Sequence, residues 1–143
     1  MNLDWTDEDV AFRAEVRGFL DEALTPELRD RARRMTSVYA DYETGMAWQR
    51  KLHAKGWVAP AWPAAFGGCD WNASQRFIWA QEASQAGAPP VSPMGIGMCG
   101  PILIAYGTPA QRAASCPPCC RGRSSGARGI RSRGPARTSP GCR

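Results

Sequence analysis

The sequence predicts an all-α fold: a small helical domain over residues 1–112, followed by a tail, residues 113–143, without stable structure. Three observations predict it. Helix-capping signatures stand immediately ahead of apolar residues at helical spacing. No alternating apolar run is long enough to read as a strand. The composition breaks after Arg112: all six Trp, all three Tyr and all four Phe precede it. From Ala113 onward there are seven Arg, five Gly, five Ser, four Pro and four Cys, with no aromatic, acid, Leu, Val or Met. Such a composition buries too little apolar surface to offset chain entropy.

Thr6-Asp7-Glu8-Asp9 is a capping box, a hydroxyl at N-cap and a carboxylate at N3. Phe12, Val16, Phe19, Leu20 and Ala23 follow on one face, which predicts a helix over 7–24. Thr25-Pro26 restarts the chain, because Pro fits a first helical turn. Residues 27–34 are charged and read as a short exposed helix or loop. A third helix is expected over 39–55, with Tyr42, Met46 and Leu52 near one side and Gly56 closing it. Trp57, Trp62 and Trp71, with Pro60, Pro63 and the Gly67-Gly68 pair, predict an ordered loop pinned by aromatic burial. Asn72 caps a fourth helix with Gln75 as its N3 partner, carrying Phe77, Ile78 and Gln81 and stopped by Gly87. Pro89, Pro90 and Pro93 form an extended bridge to the apolar, glycine-rich stretch from Met94 to Cys99. Pro101 to Tyr106 is a helical turn or two. Thr108-Pro109-Ala110-Gln111 then starts another helix just before the break.

The chain is formally +5. The tail's seven Arg supply the whole excess, since residues 1–112 hold 11 basic and 13 acidic side chains. A nucleic-acid function therefore loses its support in the folded part. No apolar run approaches the roughly 20 residues of a membrane span. The acidic N-terminus lacks a signal peptide's basic start, and only Cys69 and Cys99 lie before the break. A cytoplasmic protein is the expectation.

Several motifs lose to simpler explanations. Gly95, Gly97 and Gly100 match the spacing of a dinucleotide fingerprint but follow no strand. Cys116, Cys119, Cys120 and Cys142 have no second paired half and no nearby His, so no metal site is predicted. His53 has no marked nucleophile or acid partner and reads as a solvent-facing helix residue.

One set of motifs carries a function. A helix ends in Gly56-Trp57. The run Val58-Ala59-Pro60-Ala61-Trp62-Pro63 follows, then Phe66-Gly67-Gly68. Met94-Gly95-Ile96-Gly97-Met98-Cys99-Gly100-Pro101 and Tyr106-Gly107-Thr108-Pro109-Ala110-Gln111 come later, in that order. This series resembles the N-terminal α-domain of acyl-CoA dehydrogenases across residues 1–112. The tail extends the likeness when back-translated and read one base out of step. From Ser125 to Ser139 the shifted codons allow Trp-Cys-Gln-Gly-Tyr-Ser-Glu-Pro-Gly-Ala-Gly-Ser-Asp-Leu-Ala. That run resembles the family's flavin-contacting segment, and none of it exists in the chain as translated.

The resemblance implies a fragment of an FAD-dependent enzyme of lipid catabolism that removes hydrogens from Cα and Cβ of an acyl-CoA thioester. It implies an electron-transfer acceptor and a homo-oligomeric parent. The family's carboxylate base lies in a C-terminal helical domain and its flavin contacts in a β-domain, so no catalytic or FAD-binding residue is assigned here and the fragment is expected to be inactive alone. The domain's helices form one wall of the acyl-chain pocket in the family. Met94, Gly97, Met98 and Pro101 are the candidates for that wall, since flexible thioethers and missing side chains suit an apolar slot. The alternative is a small helical interaction module with a basic, polyanion-binding tail.

Overall fold

A helix begins at Asp7 because Thr6 and Asp9 satisfy each other's backbone: the Asp9 N–H donates to the Thr6 hydroxyl at 3.2 Å and the Thr6 N–H to the Asp9 carboxylate at 3.3 Å. Helix α1 (Asp7–Ala23) in this computed structural model buries Val16, Leu20 and Ala23, with Phe12 and Phe19 half-buried beside them. The structure describes residues 5–36 and 40–120, with side chains as far as Ala114. Helix α2 (Pro26–Arg33) is capped by the Thr25 hydroxyl, which accepts from the Leu28 N–H. It is a true helix and not wholly exposed, because Leu28 enters the core. Helix α3 (Tyr42–Lys55) starts later than predicted, because the Asp41 carboxylate takes the Thr44 N–H at 2.9 Å and sets the boundary there. Its inner face is Met46, Trp48, Gln49 and Leu52; Tyr42, expected on that side, is exposed. Gly56, at φ 84°, lets the Trp57 N–H return to the Leu52 carbonyl at 2.8 Å and close the helix.

The loop after Gly56 folds on itself. The Cys69 N–H bonds the Ala59 carbonyl, that of Asp70 the Trp62 carbonyl and that of Trp71 the Pro60 carbonyl, at 3.0–3.2 Å. One 3₁₀ turn (Ala64–Phe66) fits inside it. Helix α4 (Ala73–Gln85) opens on the reciprocal Asn72–Gln75 box and packs along α1. Around this contact Phe12, Phe19, Trp48, Trp57, Trp71 and Trp79 form a continuous aromatic cluster, most pairs 5.0–6.1 Å between centroids. Such pairs add to burial through edge-to-face geometry.

After the prolines the chain makes a six-residue π-helical turn (Met94–Cys99), then helix α5 (Gly100–Tyr106) and helix α6 (Pro109–Cys120). The reciprocal Thr108–Gln111 bonds start α6 as predicted. The helix does not stop at Arg112; its backbone continues to Cys120, and the rest of the tail lies outside the described residues. Among the described residues the protein is helical with no strand.

Candidate functional site

Helices α3 and α4, the proline bridge and the π-turn enclose an open apolar cavity of about 480 Å³. Trp48, Trp57 and Trp79, with the buried Pro89, form its floor, and Ile96 and Gly97 its rim. The sequence places them there by three local rules. Helical spacing turns Trp48 and Trp79 inward. The Schellman closure at Gly56 aims Trp57 back at the core. The prolines hold the bridge extended over the top. No lining residue is ionisable near neutral pH, so the cavity offers mainly apolar contact, with the Ser84 and Ser92 hydroxyls among its few polar groups. It does not fit FAD, whose pyrophosphate needs cations or clustered N–H donors.

The π-turn is held from outside its own helix. The Gly100 N–H reaches five residues back to the Gly95 carbonyl. The next donor in that register would be residue 101, which is proline. The Ile96 carbonyl is thereby left without a helical partner, and the Trp62 indole N–H donates to it at 2.8 Å. Trp62 is nearly fully buried, and its ring lies flush against Gly100, where a Cβ would overlap it. Gly68 meets the Trp62 backbone just as closely.

The four predicted wall residues do not fall on one surface. Gly97 lines the cavity, against Ile96. Met94, 45 % exposed, and Met98, 54 % exposed, turn outward with Pro101. Ile102 and Tyr106 continue this outer strip along α5. Trp62 was legible only as a buried aromatic. The signal for its second role was Pro101, set five residues after Ile96. Of the floor tryptophans the sequence singled out only Trp57, as part of the loop pinned by aromatic burial; Trp48 and Trp79 carried no separate signal.

The titratable groups sit elsewhere. Hydrogen bonding from Thr44, whose N–H donates at 2.9 Å, holds the Asp41 carboxyl below its ordinary value. Burial pushes the Cys69 thiol up, and its Sγ lies 3.1 Å from the Gly56 carbonyl. His53 is half-buried in the last turn of α3. Among the described residues no three His, Cys, Asp or Glu converge as a metal site; Cys142 lies outside them, as do the side chains of Cys116, Cys119 and Cys120.

Comparison with known proteins gives the same domain. The profile of the acyl-CoA dehydrogenase N-terminal domain matches residues 6–123. Acyl-CoA dehydrogenase FadE26 of Mycobacterium tuberculosis is 31 % identical over 115 residues, 78 % of this chain and 28 % of that protein. Acyl-CoA dehydrogenase IpdE1 of the same organism is 34 % identical over 108 residues, 71 % of this chain and 27 % of that protein. Two solved structures share the fold. The ChsE4-ChsE5 complex from Mycobacterium tuberculosis has a TM-score of 0.66 at 31 % identity, covering 85 % of this chain and 30 % of the other. The Tcur3481-Tcur3483 steroid ACAD has a TM-score of 0.71 at 27 % identity, covering 85 % and 31 %. The chain spans less than a third of these relatives' length, and it belongs to the acyl-CoA dehydrogenase family, of which it carries the N-terminal helical domain.

Proposed function

We propose that this domain belongs to an FAD-dependent enzyme that dehydrogenates an acyl-CoA thioester between Cα and Cβ, and that it shapes the part of the site holding the acyl group. The family match over residues 6–123 carries this reading. In the whole enzyme FAD supplies the hydride acceptor. The residues present here bind and exclude water. The aromatic floor takes up apolar surface, and the π-turn presents Gly97 to the cavity and Met94, Met98 and Pro101 to the face where further chain would pack. A cavity of about 480 Å³ is in the usual range for small-molecule sites. The steroid ACAD among the structural neighbours makes a bulky polycyclic acyl group the first substrate class to test. The ChsE4-ChsE5 complex makes a second family member the partner to test beside a homo-oligomer. Among the described residues no helix is long and apolar enough to cross a membrane. The cytoplasm is the compartment proposed, and residues 113–143 are proposed to be out of frame with the coding sequence of the domain.

The test has two arms. The purified 143-residue chain should retain no flavin and reduce no acceptor with any acyl-CoA. Restoring the frame between Gln111 and Ala114, with the downstream coding sequence, should give a yellow protein that bleaches on adding a steroid acyl-CoA or a straight-chain one. In it, Gly97→Ala should alter the choice of acyl group more than kcat, because residue 97 lines the apolar cavity and would meet the acyl chain and not the reacting carbons. Stoichiometric FAD on the uncorrected chain, or a restored protein that stays colourless, would overturn this function.

A further inference from the structure

We infer that Trp62 is a positioning residue for the acyl-facing wall, acting through the carbonyl of Ile96 that Pro101 leaves without a donor. The inference rests on the function proposed above, but its structural half stands alone. Three observations converge on it. The Gly100 N–H is committed to the Gly95 carbonyl, five residues back. Residue 101 has no N–H to give. The Trp62 indole lies 2.8 Å from the orphaned Ile96 oxygen, and the ring is buried against Gly100.

The consequence concerns direction. In an α-helix consecutive residues advance by about 100°, and in a π-turn by less. Whether residues 94–99 wind as π or α therefore sets where Gly97 and Met98 point. If the indole lets go, the half-buried Ile96 carbonyl loses that donor, and the cheapest repair is for the turn to rewind so that Gly100 donates to it. Gly97 would then rotate off the cavity rim. A single hydrogen bond from the loop thus selects between two shapes of one wall. A proline on the helix keeps the selection dependent on that bond.

The test is a coupling experiment. Trp62→Phe keeps an aromatic ring and removes the donor. Pro101→Ala restores a backbone N–H that can take the Ile96 oxygen in the same register. Amide hydrogen exchange over residues 95–103 of the 143-residue chain should speed up about fivefold in Trp62→Phe, the scale of one lost hydrogen bond. The same substitution in the Pro101→Ala background should change it by less than about twofold. Equal acceleration in both backgrounds would overturn the inference, because lost packing alone is blind to residue 101. Should Trp62→Phe not fold, the benzothienyl analogue of tryptophan at position 62, equal in shape but lacking the N–H, makes the same comparison. In the frame-restored enzyme Trp62→Phe should shift KM among acyl groups with kcat nearly unchanged, and Pro101→Ala should return it. Coupling by exchange in an enzyme that stays inactive would count against the dehydrogenase reading and leave the Trp62–Ile96 device intact; an active enzyme without coupling would do the reverse.

Discussion

Arg17 and Glu82 make a two-point contact between α1 and α4, Nε to Oε2 at 2.7 Å and Nη2 to Oε1 at 3.0 Å. Glu82 is only 6 % exposed at its side chain, whereas Arg17 is largely in water. Arg13 adds charge from the same helix: its Nε lies 3.2 Å from Glu82 Oε1 without aiming its N–H at that oxygen, so the contact is coulombic. Glu82 also raises the pKa of Arg17, chiefly through the hydrogen bond.

Glu82→Ala should destabilise the domain by about 2 kcal/mol, less than a fully buried pair because Arg17 can return to water. Glu82→Leu should cost less than Glu82→Ala, since an apolar side chain fills the space and leaves no cavity. Urea denaturation of the three proteins, read at constant slope, checks the order. Equal midpoints for all three would show that the contact holds nothing.

Gly100→Ala should destabilise by about 2–3 kcal/mol, because its Cβ would occupy the volume of the Trp62 ring. Gly18 provides the opposite sign. It lies inside α1 with nothing within 4 Å of its would-be Cβ, and Gly18→Ala should stabilise by about 0.5–1 kcal/mol. Thermal melts of both variants against the parent sequence test the pair.

Asp41 makes stability pH-dependent. Its folded-state carboxyl is held below the ordinary value by Thr44, so its contribution is complete above the unfolded value and fades as pH falls through the folded one. Asp41→Asn keeps an N-cap acceptor without a titrating charge. The parent-minus-Asn difference in melting temperature should therefore shrink as pH drops below about 4. A difference that stays constant down to the acid limit would exclude the link.

The outer strip of Met94, Met98, Ile102 and Tyr106 should make the isolated chain bind a hydrophobic dye and self-associate. Met98→Glu with Ile102→Glu should suppress both, with far-UV circular dichroism unchanged. Sedimentation at several concentrations reads the association directly. A monodisperse parent without dye binding would contradict the expectation.

The helices were legible because their signals are local. Thr6–Asp9, Asn72–Gln75 and Thr108–Gln111 each set a helix start within four residues, and Gly56 set an end. The start of α3 was placed at residue 39, whereas the Asp41 carboxylate caps the helix and sets its first residue at Tyr42. The inward side of α3 was partly misread too. Tyr42 shares helical spacing with Met46, but it lies on the first turn, and its ring is exposed there. The candidate wall was legible as a segment and not as a surface. A residue's side in a π-turn depends on a winding that composition does not announce. The Trp62–Ile96 bond spans 34 positions and has no periodic trace. Only the missing N–H of Pro101 hinted at it.

The Thr108–Gln111 box has one more implication, for how far a helix runs once started. Nucleating a helical turn is the costly event, and each added residue is nearly free. Here the nucleus is complete by Arg112, which returns its own N–H to the Thr108 carbonyl at 3.0 Å. Residues from 113 onward add to an end that is already formed. The backbone accepts Ala113 to Cys116, and two imino acids at 117 and 118 withdraw their donors shortly before the helix ends at Cys120. Helix in this stretch is therefore set in large part by the residues that nucleate it, Thr108 to Arg112.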